Sequence, residues 1–260
     1  MKTTAKKTSV NKEELSQFQY QSIGVFRSNF KEKFGIPRQP LLAKSSPAQI
    51  YLNPEPKLVG ALEGLAGFSH LWVLVHFHDL KAREWHPTIR PPRLGGRKKI
   101  GVLASRSPHR PNPIGLSVVV LERIEYKKHP KAHYILHVKG GDILDGTPVL
   151  DIKPYIAIYD SVPAATQGWI ENVGWDTVSV TFAPELRNRF HPEEITQLEE
   201  ILGQDPRPTH QRRKYSVKAP DTDGLLFGMR WQDYDIKFRV LDQAFFVEDI
   251  VPCDRAKKVK

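Results

Sequence analysis

The sequence predicts a mainly β protein: an antiparallel β-barrel domain over residues 18–182, followed by a small α+β domain over residues 183–254. Three observations lead there. Short runs rich in β-branched and aromatic residues recur from Phe18 to Phe182, punctuated by Gly, Pro and Asp and with little helical periodicity between them, which is the texture of a barrel or sandwich. No strand passes through a G-x-G-x-x-G turn into a helix, so a Rossmann nucleotide site is excluded. Beyond Ala183 the pattern changes to apolar residues at helical spacing and then to a β meander.

Taken in order, Met1–Gln17 is a polar, basic stretch without an apolar core and reads as a disordered tail rather than a secretory signal. Phe18–Phe26 reads as the first strand. Lys31–Pro40 then turns through Gly35, Pro37 and Pro40, holding Arg38 and Gln39 between two prolines. Ala48–Pro54 is a second strand and Pro56–Gly64 a short helix. Phe68–Leu80 is the clearest strand. Alternation puts Leu71, Val73, Val75 and Phe77 on one face and Trp72, Leu74, His76 and His78 on the other. His76 and His78 have the H-x-H spacing of strand metal ligands, but no third and fourth ligand follow at a telling interval, and no metal is expected.

The next segment organises the chain. In Arg106–Pro113, Pro108, Pro111 and Pro113 fix φ and remove backbone donors, so the segment is a shaped loop. Ile100–Ala104 and Leu116–Leu121 read as strands anchoring it. From Trp85 to Leu121 there is no Asp or Glu, whereas Arg90, Arg93, Arg97, Lys98, Lys99, Arg106 and Arg110 are cationic, which implies an anionic ligand. Tyr134–Val138 is another strand. Gly140–Tyr155 reads as tight turns that present Asp142, Asp145 and Asp151 with bare glycine amides opposite the basic loop. Val178–Phe182 is taken as the last barrel strand. In the second domain, helical stripes over Glu185–Gly203 restart at Pro192, and Arg207 lies between Pro206 and Pro208. Arg212, Arg213 and Lys214 follow, and Gly228–Gln232, Tyr234–Val240 and Gln243–Asp249 form the meander before a basic tail over 255–260.

The whole chain carries a formal charge of +10 and a pI near 9.6, favouring a polyanionic partner such as nucleic acid. Its single cysteine, Cys253, excludes an intramolecular disulfide and fits a reducing, cytoplasmic setting. The longest apolar run, Leu71–Phe77, is too short to span a bilayer, so no membrane association is expected.

At Arg106–Gly115 (RSPHRPNPIG) and Asp145–Tyr155 (DGTPVLDIKPY) the chain resembles the TsaA-like (TrmO) family of tRNA methyltransferases. The likeness extends through Gly35–Pro40, Phe68–Trp72, Arg90–Gly96 and Asp205–Pro208, covering roughly residues 18 to 252. The resemblance implies a non-Rossmann, β-barrel S-adenosylmethionine enzyme. It further implies a homodimer that methylates N6 of N6-threonylcarbamoyladenosine at tRNA position 37. Carried over by motif, Pro37, Arg38, Gln39, Phe77, His78, Arg106, Asp142, Ile143, Leu144, Asp145 and Gly146 surround the cofactor, with Arg106 and Asp145 in catalytic roles and Asp145, or a water on the Asp142–Asp145 turn, assisting loss of the N6 proton. Arg90, Arg93, Arg97, Arg110, Arg207 and Arg212 are expected to hold RNA phosphates, with His210 stacking on a base. Two departures stand out: a longer basic N-terminal tail, and His210 where the pattern leads one to expect an aromatic residue, often Tyr. The competing expectation is a basic β-barrel that binds RNA without chemistry.

Overall fold

A computed structural model describes residues 17–33, 35–80, 85–129, 132–171, 173 and 177–253; nearly all of the N-terminal tail and all of the C-terminal basic tail lie outside them. In chain order the elements are β1 (Gly24–Ser28), β2 (Pro47–Leu52), α1 (Leu58–Ala61), β3 (His70–His76), β4 (Thr88–Ile89), β5 (Ile100–Gly101), β6 (Ile114–His129), β7 (Ala132–Lys139), β8 (Thr147–Pro154), α2 (Ala157–Asp160), β9 (Val180–Phe182), α3 (Pro184–Arg189), α4 (Pro192–Gly203), α5 (Thr209–Lys214), β10 (Leu226–Trp231), β11 (Tyr234–Leu241) and β12 (Ala244–Pro252).

Six strands close the barrel in the order β1-β2-β7-β6-β3-β8, every pair antiparallel. The alternation in β3 dictates its placement. Leu71, Val73 and Val75 are buried in the barrel core with Phe26, Ile50, Val119, Leu136 and Val149, while His76 is exposed. The strand ends at His76, so His78 stands beyond it on the surface rather than beside His76 in a sheet face. Among the described residues no group of three His, Cys, Asp or Glu is placed to hold a metal ion.

The structure moves several boundaries. β1 starts at Gly24: Phe18 and Tyr20 are 74% and 71% exposed, and only from Ile23 onward does the run pack on the barrel core. The Pro56–Gly64 helix is one turn, α1, followed by a 3₁₀ turn at Leu65–Gly67. Ile100–Ala104 is the two-residue β5 and a 3₁₀ turn at Val102–Ala104, with Val102 buried as its anchor. Thr147–Pro154, placed among the turns by its flanking Gly146 and Pro154, is the strand β8 that closes the barrel between β1 and β3. Val180–Phe182 leaves the barrel altogether: β9 pairs in parallel with β12 and completes the second sheet, β10-β11-β12-β9.

That second sheet packs against α4, whose Ile195, Leu198, Ile201 and Leu202 are buried with Phe238, Phe245 and Ile250. Pro192 opens the helix, and the Glu194 carboxylate accepts the His191 N–H at 3.0 Å. The 29–46 segment leaves the barrel after β1 and is gripped by this domain. Phe30 and Ala43 are buried in its core, Gly35 lies against Met229, and the Glu200 carboxylate accepts the Ser45 N–H and hydroxyl at 3.0 and 2.5 Å. The C-terminal domain therefore sets where the Pro37–Gln39 turn sits.

Candidate active site

At one end of the barrel a cavity of about 630 Å³ lies between that turn, the end of β3, the proline loop and the start of β6. Its size suits a nucleoside-sized ligand, since small-molecule pockets run from about 300 to 1,000 Å³. β6 forms its floor by alternation: Gly115, Ser117, Val119 and Leu121 point inward and are buried, while Leu116 is exposed at the mouth. Gly115 is required by the close approach of β3. A Cβ there would stand 2.6 Å from the Phe77 ring and 2.8 Å from Val75.

Ser117 donates its hydroxyl proton to Asp142 Oδ1 at 2.6 Å. Burial pushes the Asp142 carboxyl above the usual carboxylate range, opposed by the Ser117 hydrogen bond, the Asp142 backbone and the charge of Arg106. Across the cavity Arg106 donates to Gln39 Oε1 at 2.6 Å, so the proline loop and the Pro37–Gln39 turn are tied together. Pro37 itself is buried behind the turn.

A second, wider cavity of about 920 Å³ shares a wall with the first: Arg38, Gln39, Leu103, Ser105 and Arg106 line both. Its far side carries Arg90, Arg93 and the 3₁₀ turn of Trp169, whose indole N–H donates to the Ala104 carbonyl at 2.8 Å. A third cavity of about 400 Å³ opens toward the C-terminal domain and again includes Arg38.

Arg38, Gln39, Phe77, Arg106, Arg110, Asp142 and Ile143 come together around the first cavity. Arg90 and Arg93 line the second, and Arg93 and Arg212 the third. His78, Leu144, Gly146, Arg97 and His210 line none of the three; His78, Arg97 and His210 are exposed. Two of the expected residues have intramolecular partners of their own. Asp145 is committed elsewhere: its carboxylate accepts the Ser28 N–H at 3.0 Å and pairs with Lys31 at 2.9 Å and Arg27 at 3.7 Å, and it lines none of these cavities. The carboxylate recessed in the cavity is Asp142. Arg207 does not face solvent as a phosphate ligand on a surface would. Its side chain is 1% exposed, paired with Asp205 through Nε at 2.8 Å and Nη2 at 2.9 Å, and held between the Phe227 and Phe245 rings.

Ser117, Trp72, Leu103 and Trp169 were missed by sequence reasoning. Ser117 had a signal, a hydroxyl on the inward face of an otherwise apolar alternation; Trp169 had none, because its role depends on a contact with Ala104 made 65 residues away.

A closed antiparallel barrel with a recessed carboxylate in one cavity, sharing a wall with an arginine-lined second cavity, defines a β-barrel protein with two adjoining cavities. Comparison with known proteins makes this specific. Residues 25–161 match the tRNA-methyltransferase O N-terminal domain and residues 176–253 the TrmO C-terminal domain, and the chain belongs to this family. It is 38% identical over 244 residues to the tRNA (adenine(37)-N6)-methyltransferase of Escherichia coli, covering 92% of this chain and 100% of that one. A putative S-adenosylmethionine-dependent methyltransferase, RcsF, of Pseudomonas aeruginosa is 42% identical over 212 residues, covering 77% of this chain and 88% of that protein. The crystal structure of TrmO from Pseudomonas aeruginosa superposes with a TM-score of 0.68 at 33% identity, across 92% of this chain and all of that one.

Proposed function

We propose that this chain is an S-adenosylmethionine-dependent tRNA methyltransferase that methylates N6 of the adenosine at position 37, next to the anticodon, acting on its N6-threonylcarbamoyl form. The observation that carries the reading is the wall of Arg38, Gln39, Leu103, Ser105 and Arg106 shared by two cavities, which puts two ligands within reach of each other. Family membership supplies the chemistry.

The barrel cavity fits the cofactor by its donor set. Arg106 offers a guanidinium for a carboxylate, Asp142 an acceptor for hydroxyl or amine protons, and Trp72, Phe77 and Leu116 an apolar wall for a base, with Gly115 leaving the floor open. When bound, S-adenosylmethionine supplies an electrophilic methyl group on its sulfonium. The work left to the protein is alignment, which in well-oriented systems contributes about 7–11 kcal/mol. The Arg106–Gln39 hydrogen bond fixes the shared wall so that the amine approaches from the second cavity. N6 must also lose a proton. Asp142 is the candidate acceptor: the Ser117 hydroxyl orients its carboxylate through Oδ1, and a raised pKa makes it a better base near neutral pH.

In this reading the RNA enters over the second cavity, its phosphates met by Arg90, Arg93, Arg97 and Arg110 and the target base unstacked against the Trp169 side. His210, exposed on α5, would meet a flanking base in this reading. A homodimer and a cytoplasmic setting belong to the same reading. Ile158, Tyr159 and Val162 are 78%, 76% and 66% exposed in and just after α2, and Leu116 is 55% exposed at the cavity mouth, an apolar surface suited to a second copy. No described helix is long and apolar enough to cross a membrane.

The test is nucleoside mass spectrometry of tRNA carrying threonylcarbamoyladenosine after incubation with protein and S-adenosylmethionine. A gain of one CH₂ on that nucleoside, abolished in Arg106→Ala, is the expected result. No gain with tight tRNA binding would leave an RNA-binding barrel without chemistry. Light scattering of the purified protein tests the dimer.

A further inference from the structure

Among the described residues five that are not glycine take a positive φ: Leu41, Asp205, Gln232, Asp242 and Gln243. Four of them have an ordinary reason. Gln232 lies in the tight turn between β10 and β11, Asp242 and Gln243 make the turn between β11 and β12, and Asp205 ends the reversal that follows α4. Leu41, at a φ of 62°, is in none of these places, and for a bulky apolar side chain the left-handed region is strained.

Its contacts show what holds it there. The Leu41 N–H donates to the Gly140 carbonyl at 2.8 Å, and the Gly140 N–H donates to the Ser46 carbonyl at 3.0 Å, so the loop from Leu41 to Ser46 closes on one residue from both sides. Gly140 sits at a φ of 78°, and a Cβ there would stand 2.8 Å from Leu41 Cδ2, which is why this approach requires glycine. The loop is also fixed in the C-terminal domain, through buried Ala43 and through Ser45 on Glu200. Strain of this kind persists only where the surroundings over-determine it, and it collects at functional sites. Both chains that meet at this point lead into the first cavity. Two residues before Leu41 is Gln39, which accepts the Arg106 guanidinium at 2.6 Å; two residues after Gly140 is Asp142, which accepts the Ser117 hydroxyl at 2.6 Å. Neither connection has freedom to absorb a shift. Pro40 fixes φ on one side, and on the other a Cβ at Gly141 would stand 2.8 Å from the tip of the Phe26 ring in the barrel core.

We propose that Leu41 is a positioning residue for the reaction: its left-handed conformation aims its N–H at Gly140 and so sets the span across the cavity between the Gln39–Arg106 wall and the Asp142 carboxylate. The part that acts is the direction of the backbone and not the leucine side chain. Through this clasp the grip of the C-terminal domain on the 29–46 segment reaches the recessed carboxylate, which that domain does not touch through any hydrogen bond given to Asp142. The inference rests on the methyltransferase reading for what the cavity holds.

The deciding variants are Leu41→Pro, which holds φ near about −65° and has no N–H, and Leu41→Gly, which takes the positive φ without strain. The first measurement needs no ligand. Hydrogen–deuterium exchange of the free full chain is followed over residues 140–146, where the N–H groups of Gly140, Asp145 and Gly146 are bonded to Ser46, Phe30 and Phe26. Leu41→Pro should exchange faster there and Leu41→Gly should match the wild type. The second measurement is cofactor titration with steady-state kinetics. Leu41→Pro should weaken S-adenosylmethionine by roughly 10-fold, as loss of one hydrogen bond does, and lower kcat at saturating cofactor on the order of 100-fold, as misalignment near ~1 Å does. Leu41→Gly should recover both. Unchanged exchange in Leu41→Pro, altered exchange with wild-type cofactor affinity and kcat, or a Leu41→Gly variant as impaired as Leu41→Pro would each overturn the proposal. If exchange responds as expected while the wild type binds no S-adenosylmethionine, the clasp is upheld and it is the methyltransferase reading that falls.

Discussion

Replacing Gly115 by alanine adds one methyl group to the cavity floor, and the structure fixes what that methyl meets. It would lie 2.6 Å from the tip of the Phe77 ring and 2.8 Å from a Val75 methyl, whereas ordinary contact begins near 3.4 Å. Both neighbours stand inside the 3.0 Å limit, so the Phe77 ring must give way by several tenths of an ångström, and Val75, 1% exposed in the barrel core, has to shift as well or push the strand aside. Overpacking of this kind costs about 1–3 kcal/mol, and at about 2–4 °C per kcal/mol for a chain of this size the melting temperature should fall by roughly 2–12 °C. Because Phe77 lines the cavity proposed for the cofactor, its shift should displace a cofactor held there, and a misplacement near ~1 Å costs on the order of 100-fold in turnover. The assay pairs a thermal melt with cofactor titration and kcat/KM for Gly115→Ala, Phe77→Leu and the double variant. Trimming the ring should recover part of the stability lost to the methyl group, a coupling that independent sites would not show. Wild-type melting and turnover in Gly115→Ala would refute the view that this close approach shapes the site.

Asp142→Asn should lower kcat by roughly 10²–10⁴-fold, as loss of a general base does. Its stability carries a second signature: the folded carboxyl holds its proton more tightly than the unfolded one, so wild-type stability declines as pH rises from the unfolded pKa through the raised folded value. The Asn variant escapes that decline and should gain on the wild type from acid to neutral pH in urea melts. Asp145→Asn loses its pairing with Lys31 and should melt lower while retaining turnover; a kcat as low as that of Asp142→Asn would return the proton acceptor to Asp145. Arg207→Met breaks a buried pair and should cost about 3–5 kcal/mol in denaturant unfolding, an effect no surface phosphate contact would produce. Arg90→Gln and Arg97→Gln should leave melting unchanged and each reduce the slope of log affinity for tRNA against log salt by roughly 0.7–0.9.

Much of this was legible in the chain because it is written in local patterns. Period-2 alternation placed β3 and its inward face, prolines marked the shaped loop, and Pro192 and Gly203 bounded α4. What failed depends on partners far away in sequence. β8 reads as a run of turns because Gly146 and Pro154 flank it, and only pairing to β1 and β3 makes Thr147–Pro154 a strand. β9 carries no mark that it belongs to β12 rather than the barrel. The carboxylates were equally ambiguous. Asp142 and Asp145 share one turn, and only the partners more than a hundred residues earlier, Ser28, Arg27 and Lys31, distinguish Asp145 from Asp142, which lines the cavity.

The two arginines set between prolines show how far such a device carries. Both turns hold a guanidinium rigidly, yet their fates are opposite. Asp205 adopts a left-handed φ of 47°, a conformation Asp tolerates, and its carboxylate pairs with Arg207, which Phe227 and Phe245 then enclose. Arg38 has no acidic neighbour in its turn and obtains only the carbonyl that Asp205 has left. One carboxylate therefore bonds the structural arginine and reaches Arg38 and Arg212 through its charge, which offsets only part of the burial and mutual repulsion acting on them. A fold that needed only mechanical union of its domains could achieve it through Ser45 and Glu200 or Glu32 and Arg230. Those contacts join the domains, whereas the guanidinium cluster at the same boundary adds only the Arg38 bond to the Asp205 carbonyl, set against the repulsion of Arg93 and Arg212.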